Sequence, residues 1–249
     1  KYVVDDPLAG LRTNVRGTEV VLAAAHRWDV RVCLASSSEV YGLSPALPFA
    51  EDGPRVLGPT WVPRWSYATA KALDEHLAFA YRDRGLRVSV VRYFNAYGPR
   101  LDPAGYGSVV ARFIGQALAG RPLTVHGDGQ QTRSFTYVAD TVRGTILAAT
   151  EPAALGEVFN VGSEDEISIE RLAREIITAT GSTSGIAHVP YAAAYGQRFE
   201  DPRRRVPDGA KARRLLGFQA EVPLAEGLAR TIAWFRGEGE QRPGFCSPD

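Results

Sequence analysis

Val30-Arg31-Val32-Cys33-Leu34-Ala35, running directly into Ser36-Ser37-Ser38-Glu39-Val40-Tyr41-Gly42, is the stretch that decides the fold. The first six residues read as a buried parallel strand. The small polar residues after them fall at its carboxyl end, where open α/β sheets place their ligands. Downstream, the segment from Tyr67 to Tyr81 combines helical periodicity with strong helix formers and ends by Gly85, whose missing β-carbon suits a helix terminus. Residues 86–93 return as a strand, and residues 8–25 read as a helix before the first strand. This alternation is the signature of a doubly wound parallel sheet. A proline-rich loop covers residues 43–63. After Pro99 the pattern loosens into helices near 108–119, 138–149, 169–180, 208–216 and 224–236, with strands near 123–126 and 157–161.

A chain of 249 residues, 45% of them hydrophobic, can bury a full core. Its formal charge of +1 gives no reason to expect nucleic acid or an anionic membrane as partner. Two cysteines, Cys33 and Cys246, are too few for a disulfide framework or a zinc site, which predicts a cytoplasmic protein with no metal. No apolar run reaches membrane-spanning length, and no signal-peptide pattern occurs.

Tyr67 and Lys71 stand four residues apart, so both side chains leave one helix face. A tyrosine hydroxyl titrates near about 10, and a neighbouring cation favours its phenolate; Lys71 can therefore bring Tyr67 toward a usable general base. The bland alternative is an ordinary amphipathic helix. Against it stands the serine run at the strand end, because the two segments together bring a hydroxyl, a carboxylate, a phenol and an ammonium to one site.

These segments, with Thr13-Asn14-Val15-Arg16-Gly17-Thr18, the run from Arg92 to Arg100 and the run from Gly127 to Phe135, resemble in order and spacing the extended short-chain dehydrogenase/reductase family. The resemblance is to its nucleotide-sugar epimerases, dehydratases and decarboxylases. It implies a Rossmann-like doubly wound sheet with a smaller mixed α/β substrate-binding portion. Residues 1–99 would be the remainder of the NAD-binding domain with the catalytic residues, and residues 100–249 mainly the nucleotide-sugar portion, interleaved with it. It further implies NAD as cofactor, a UDP-sugar as substrate, and a homodimer through the helices at 8–25 and 67–81. An N-terminal glycine-rich strand-turn-helix for the cofactor pyrophosphate is also implied. No such fingerprint occurs here, so the chain is expected to be part of a longer protein.

By the same resemblance Tyr67 is the base, Lys71 binds the nicotinamide ribose, and Ser37 hydrogen-bonds the reacting oxygen. Asn14 and Phe94 match positions beside the cofactor; a turn and a core aromatic are their plain alternatives. Ser38 stands where a dehydratase of the family has its acidic Asp, which disfavours dehydration. Ser37 to Gly42 resemble the UDP-glucuronic acid decarboxylases, in which the glutamate matching Glu39 is catalytic. Arg205, in the run Arg203-Arg204-Arg205 ahead of Pro207, matches their catalytic arginine, although three arginines in a row are ordinarily a solvated patch. Arg133, Asn95, Arg64 and Phe199 match contacts to the nucleotide, and the backbone near Thr124 and Val125 would meet the base. Val3 replaces a tyrosine that contacts substrate in some decarboxylases. The implied activity is oxidative decarboxylation of UDP-glucuronic acid through a 4-keto intermediate. A nucleotide-sugar 4-epimerase sharing Ser37, Tyr67 and Lys71 is the alternative, and a cofactor-binding protein without turnover the third reading.

Overall fold

The computed structural model describes residues 6–102, 108–195 and 202–237. Helix α1 (Pro7–Arg27) is capped by Asp6, whose Oδ1 accepts the Ala9 N–H at 3.0 Å, with proline in the first turn where no partner for its nitrogen is lost. Strand β1 (Val32–Ser37) leads into a 3-10 turn (Ser38–Tyr41) that closes on Gly42. Gly42 has φ 61°, and a β-carbon there would lie 2.0 Å from the Val56 carbonyl oxygen, so only glycine fits. Helix α2 (Arg64–Arg82) follows the proline-rich loop, then strands β2 (Val88–Tyr93) and β3 (Ala96–Tyr97). Next come α3 (Val109–Leu118), β4 (Leu123–His126), β5 (Thr132–Ser134), β6 (Thr136–Tyr137), α4 (Val138–Thr150) and β7 (Val158–Val161). The described chain finishes with β8 (Glu166–Ser168), α5 (Ile169–Thr180), β9 (Ile186–Val189), α6 (Tyr191–Tyr195), β10 (Arg204–Arg205), α7 (Ala210–Leu216) and α8 (Leu224–Phe235).

Strands β1, β2 and β7 form a parallel sheet in that order, flanked by α1 and α2 on one side and by α4 and α7 on the other. The sequence places the first strand two residues too early. Register settles it: Val32 pairs with Val88 and Ser37 with Tyr93, which draws Ser36 and Ser37 into the strand. The expectation of burial also shifts. Five of the six β2 residues are buried, whereas β1, at the sheet edge among the described residues, buries only Ser36. Leu22, Ala78, Val88 and Val90 pack under α1 and α2; Phe159, Val161, Leu216 and Phe218 pack on the opposite face.

A second core lies beneath α3, α5 and α8, where Phe113, Ile114, Leu172, Ile176, Leu228 and Ile232 are at most 2% exposed. Above it run the short pairs β4 with β9 and β3 with β6, and a small sheet in the order β10-β5-β8. Strands of two to four residues carry too little periodicity to read from sequence, which explains why most of them escape the reading above. No described helix is long and apolar enough to cross a membrane, and no described cluster of His, Cys, Asp and Glu could hold a metal.

Candidate active site

The carboxyl end of β1 delivers Ser37. Its Oγ accepts the Glu39 N–H at 3.2 Å, capping the 3-10 turn, and lies near enough to Tyr67 of α2 to draw that hydroxyl's pKa down. The cap fixes the Ser37 hydroxyl on the side of the strand end that faces Tyr67. One turn further along α2, Lys71 Nζ donates to the Ala35 carbonyl at 3.0 Å and lies 3.5 Å from Asp74 Oδ2. Strand end and helix thus converge at the sheet's carboxyl edge.

Electrostatics modify the expectation for Tyr67. Burial pushes its hydroxyl above the ordinary tyrosine value, the Ser37 hydroxyl pulls it down, and the Glu39 and Asp74 carboxylates push it up again. Lys71, on the same helix face as the spacing predicts, directs its ammonium at the Ala35 carbonyl and Asp74. Tyr41, fully buried, is pushed up to about 12 by burial, which leaves Tyr67 as the better-placed phenol.

Arg205 arrives from the other half of the chain. Strand β10 lies parallel to β5, pairing Arg204 with Thr132 and Arg205 with Arg133. Alternation along the strand then divides the arginine run. Arg204 points outward and makes a bidentate pair with Glu166 at 2.9 and 2.7 Å, and exposed Arg203 meets Asp128 at 2.8 Å. Arg205 turns inward, only 8% of its side chain exposed, and its Nη1 donates to Glu39 Oε1 at 2.7 Å. Arg64, from the first turn of α2, reaches Glu39 Oε2 at 3.4 Å. Burial pushes the Glu39 carboxyl up, but Arg205 and Arg64, with help from Arg133, prevail and hold it below the usual carboxylate range. Backbone bonds seat the strap: Thr132 N–H to the Arg203 carbonyl at 2.8 Å, Phe49 N–H to Val206 at 2.9 Å, and Asp208 N–H to Phe49 at 2.9 Å.

The other predicted residues separate. Arg133 is buried on the face that carries Arg205, its Nη1 on the Thr132 carbonyl at 2.7 Å. Ser38 is 3% exposed inside the turn. Asn14 donates its amide to the Gly10 carbonyl at 2.8 Å, a bond within α1 rather than the turn of its plain alternative. Phe94 is 1% exposed among Val40, Tyr41, Phe49 and Ala72, so its ring is a core aromatic. The Asn95 carbonyl accepts the Thr136 N–H at 2.9 Å, joining β3 to β6. Thr124 gives its N–H to Gln116 Oε1 at 3.0 Å and takes Arg112 on its carbonyl at 3.3 Å, while Val125 faces the second core. Phe199 lies outside the described residues.

Sequence reasoning passed over a buried polar network behind the site. Arg92 of β2 is 6% exposed and grips Glu75 of α2 with Nε at 2.9 Å and Nη2 at 2.7 Å. Ser36 Oγ donates to the same carboxylate at 2.5 Å. Arg92 Nη1 also donates to the Tyr41 hydroxyl at 2.9 Å, and that hydroxyl donates to Asn160 Oδ1 at 2.7 Å. The network ties β1, α2, β2 and β7 together directly beneath Ser37. A charged residue in an otherwise apolar central strand was the available signal: Arg92 there needs a buried anion, and α2 offers Glu75.

Comparison with known proteins places this arrangement. A family model described as GDP-mannose 4,6 dehydratase matches residues 1–231. The chain is 45% identical over 236 residues to a UDP-N-acetyl-alpha-D-glucosaminuronate decarboxylase of Bacillus cytotoxicus, covering 95% of this chain and 73% of that protein. It is 41% identical to UDP-glucuronic acid decarboxylase 1 of Xenopus tropicalis, over 95% of this chain but only 54% of that protein. Among solved structures, a UDP-glucuronic acid 4-epimerase from Bacillus cereus, in complex with UDP-glucuronic acid and NAD, superposes with a TM-score of 0.79 at 29% identity. That match covers 91% of this chain and 68% of the epimerase.

Proposed function

This chain belongs to the nucleotide-sugar branch of the extended short-chain dehydrogenase/reductase family, and from that premise we propose that the protein decarboxylates a UDP-linked uronic acid, UDP-glucuronic acid foremost, through a 4-keto intermediate. The observation that carries the reading is Glu39 held by Arg205 and Arg64 beside the Ser37–Tyr67 pair. A 4-epimerase needs the second set; one acting on a uronate could use Arg205 for the carboxylate, but the chemistry gives it no use for Glu39.

NAD, when bound, accepts hydride from C4 of the sugar. The donor set suits it: a phenol and an ammonium one helical turn apart at the carboxyl edge of a parallel sheet. Lys71, Tyr67 and Ser37 are the residues we assign to hold its reactive end. Tyr67 takes the C4 hydroxyl proton, with Ser37 bonded to the same oxygen. A ketone at C4 lies β to the C6 carboxylate, so the C5–C6 bond breaks with its electron pair passing into an enolate while carbon dioxide leaves. Arg205 holds the carboxylate and then the enolate charge, and C5 takes its proton from solvent by way of Glu39, which returns to Arg205 as carbon dioxide leaves.

Incubation of the full-length protein with UDP-glucuronic acid tests this by mass: release of carbon dioxide with a UDP-4-keto-pentose, or with a UDP-pentose where the hydride returns to C4, supports it, and a product of unchanged mass inverted at C4 points to the epimerase. UDP-N-acetylglucosaminuronic acid, run in parallel, separates the two uronate classes. We also place a cytoplasmic homodimer here, through α1 and α2, whose Val20, Val21 and Leu73 side chains are exposed; sedimentation analysis reports its mass.

A further inference from the structure

Glu39 stands where an incoming carboxylate has to go. Its two oxygens span two guanidinium groups, Arg205 Nη1 at 2.7 Å and Arg64 Nη2 at 3.4 Å, with Arg133 adding its field from the strand beside Arg205. Exposure orders the cluster. The Glu39 side chain is 25% exposed, against 13% for Arg64 and 8% for Arg205, so the glutamate is the open member and the arginines form the wall behind it. An anion approaching Arg205 from the open side therefore meets Glu39 first.

We infer that Glu39 is an internal stand-in for the substrate's carboxylate: a uronate ligand exchanges with it on Arg205, and the displaced glutamate turns toward the sugar. The inference rests on the uronate reading above. A buried guanidinium is unfavourable without a partner anion, so a site that keeps Arg205 in position between turnovers gains from a carboxylate of its own. Exchange replaces one carboxylate with another on the arginine and leaves the charge there unchanged. A neutral sugar has no group to make the exchange, and Glu39 stays on Arg205. Discrimination between acidic and neutral sugars then comes from the displacement itself as well as from attraction.

The prediction has an unusual sign, because removing a site carboxylate should tighten binding of an anion. In the full-length protein loaded with NAD, Glu39→Gln and Glu39→Ala are compared with the parent by calorimetry, using UDP-glucuronic acid, UDP-glucose and UDP. Both variants should bind UDP-glucuronic acid about tenfold more tightly, the size of one part-buried competing ion pair. Affinity for UDP-glucose and UDP should stay within about twofold. Unchanged or weaker UDP-glucuronic acid binding in both variants overturns the exchange, as does an equal gain for all three ligands. Carbon dioxide release by the parent is scored separately. A selective gain without release keeps the exchange and removes the decarboxylase reading, and release without the gain does the reverse.

Discussion

Replacing Glu75 with Ala tests whether the network behind the site holds it together. In the parent, the Glu75 carboxylate takes Arg92 Nε and Nη2 at 2.9 and 2.7 Å and Ser36 Oγ at 2.5 Å, with 5% and 7% of the Glu75 and Arg92 side chains exposed. Truncation leaves a buried guanidinium whose remaining partners, the Tyr41 hydroxyl and the Glu51 carbonyl, are neutral. Breaking a buried pair in this way costs about 3–5 kcal/mol. For a domain of this size that lowers the melting temperature by about 6–20 °C. Urea unfolding of parent, Glu75→Leu, Arg92→Met and the Glu75→Leu/Arg92→Met double variant forms the cycle, with Glu75→Ala measured beside it. The double variant should return to within about 1 kcal/mol of the parent, because apolar side chains of similar volume remove the stranded charge. A Glu75→Ala cost below about 1 kcal/mol would place the pair with surface ion pairs and refute the argument. So would a double variant no better than the single one.

Three further outcomes follow from the geometry. Tyr67→Phe keeps the ring and loses the hydroxyl beside Ser37, so turnover should fall by about 10²–10⁴ while UDP-sugar affinity, read by calorimetry, is retained. Glu166→Gln weakens the bidentate hold on Arg204 that flanks Arg205; kcat/KM for the uronate should drop, and an Arg204→Glu/Glu166→Arg exchange should restore part of it. Because Glu39 has its folded pKa below the unfolded value, its pair with Arg205 stabilises the protein fully above the ordinary carboxylate range and loses that contribution as pH falls through the lowered value. The stability difference between parent and Glu39→Gln in urea should accordingly shrink on acidification, and a difference that grows would contradict it.

Much of the fold was legible because its signals are local. The helix bearing Tyr67 and Lys71 declares itself through periodicity, the strand of residues 88–93 through its apolar run, and the serines through their place after a strand. Phe94 shows what such reading leaves out: motif position suggested a cofactor neighbour, and the structure adds that its ring packs with Tyr41 and Phe49 in the core. Lys71 shows the same, since helix spacing places it near Tyr67 while Ala35 and Asp74 decide where its ammonium points.

By itself, then, the sequence determined the strand-helix-strand frame and the Ser37, Tyr67 and Lys71 set, because those depend on contacts within a turn or at one strand end. Tertiary structure decided which of Arg203, Arg204 and Arg205 enters the site. A two-residue strand has no periodicity of its own to fix its phase; pairing of Arg205 with Arg133 sets it, turning that side chain inward to a glutamate 166 residues away. The buried pair of Arg92 and Glu75 was decided the same way, since opposite charges meet only after β2 and α2 have packed.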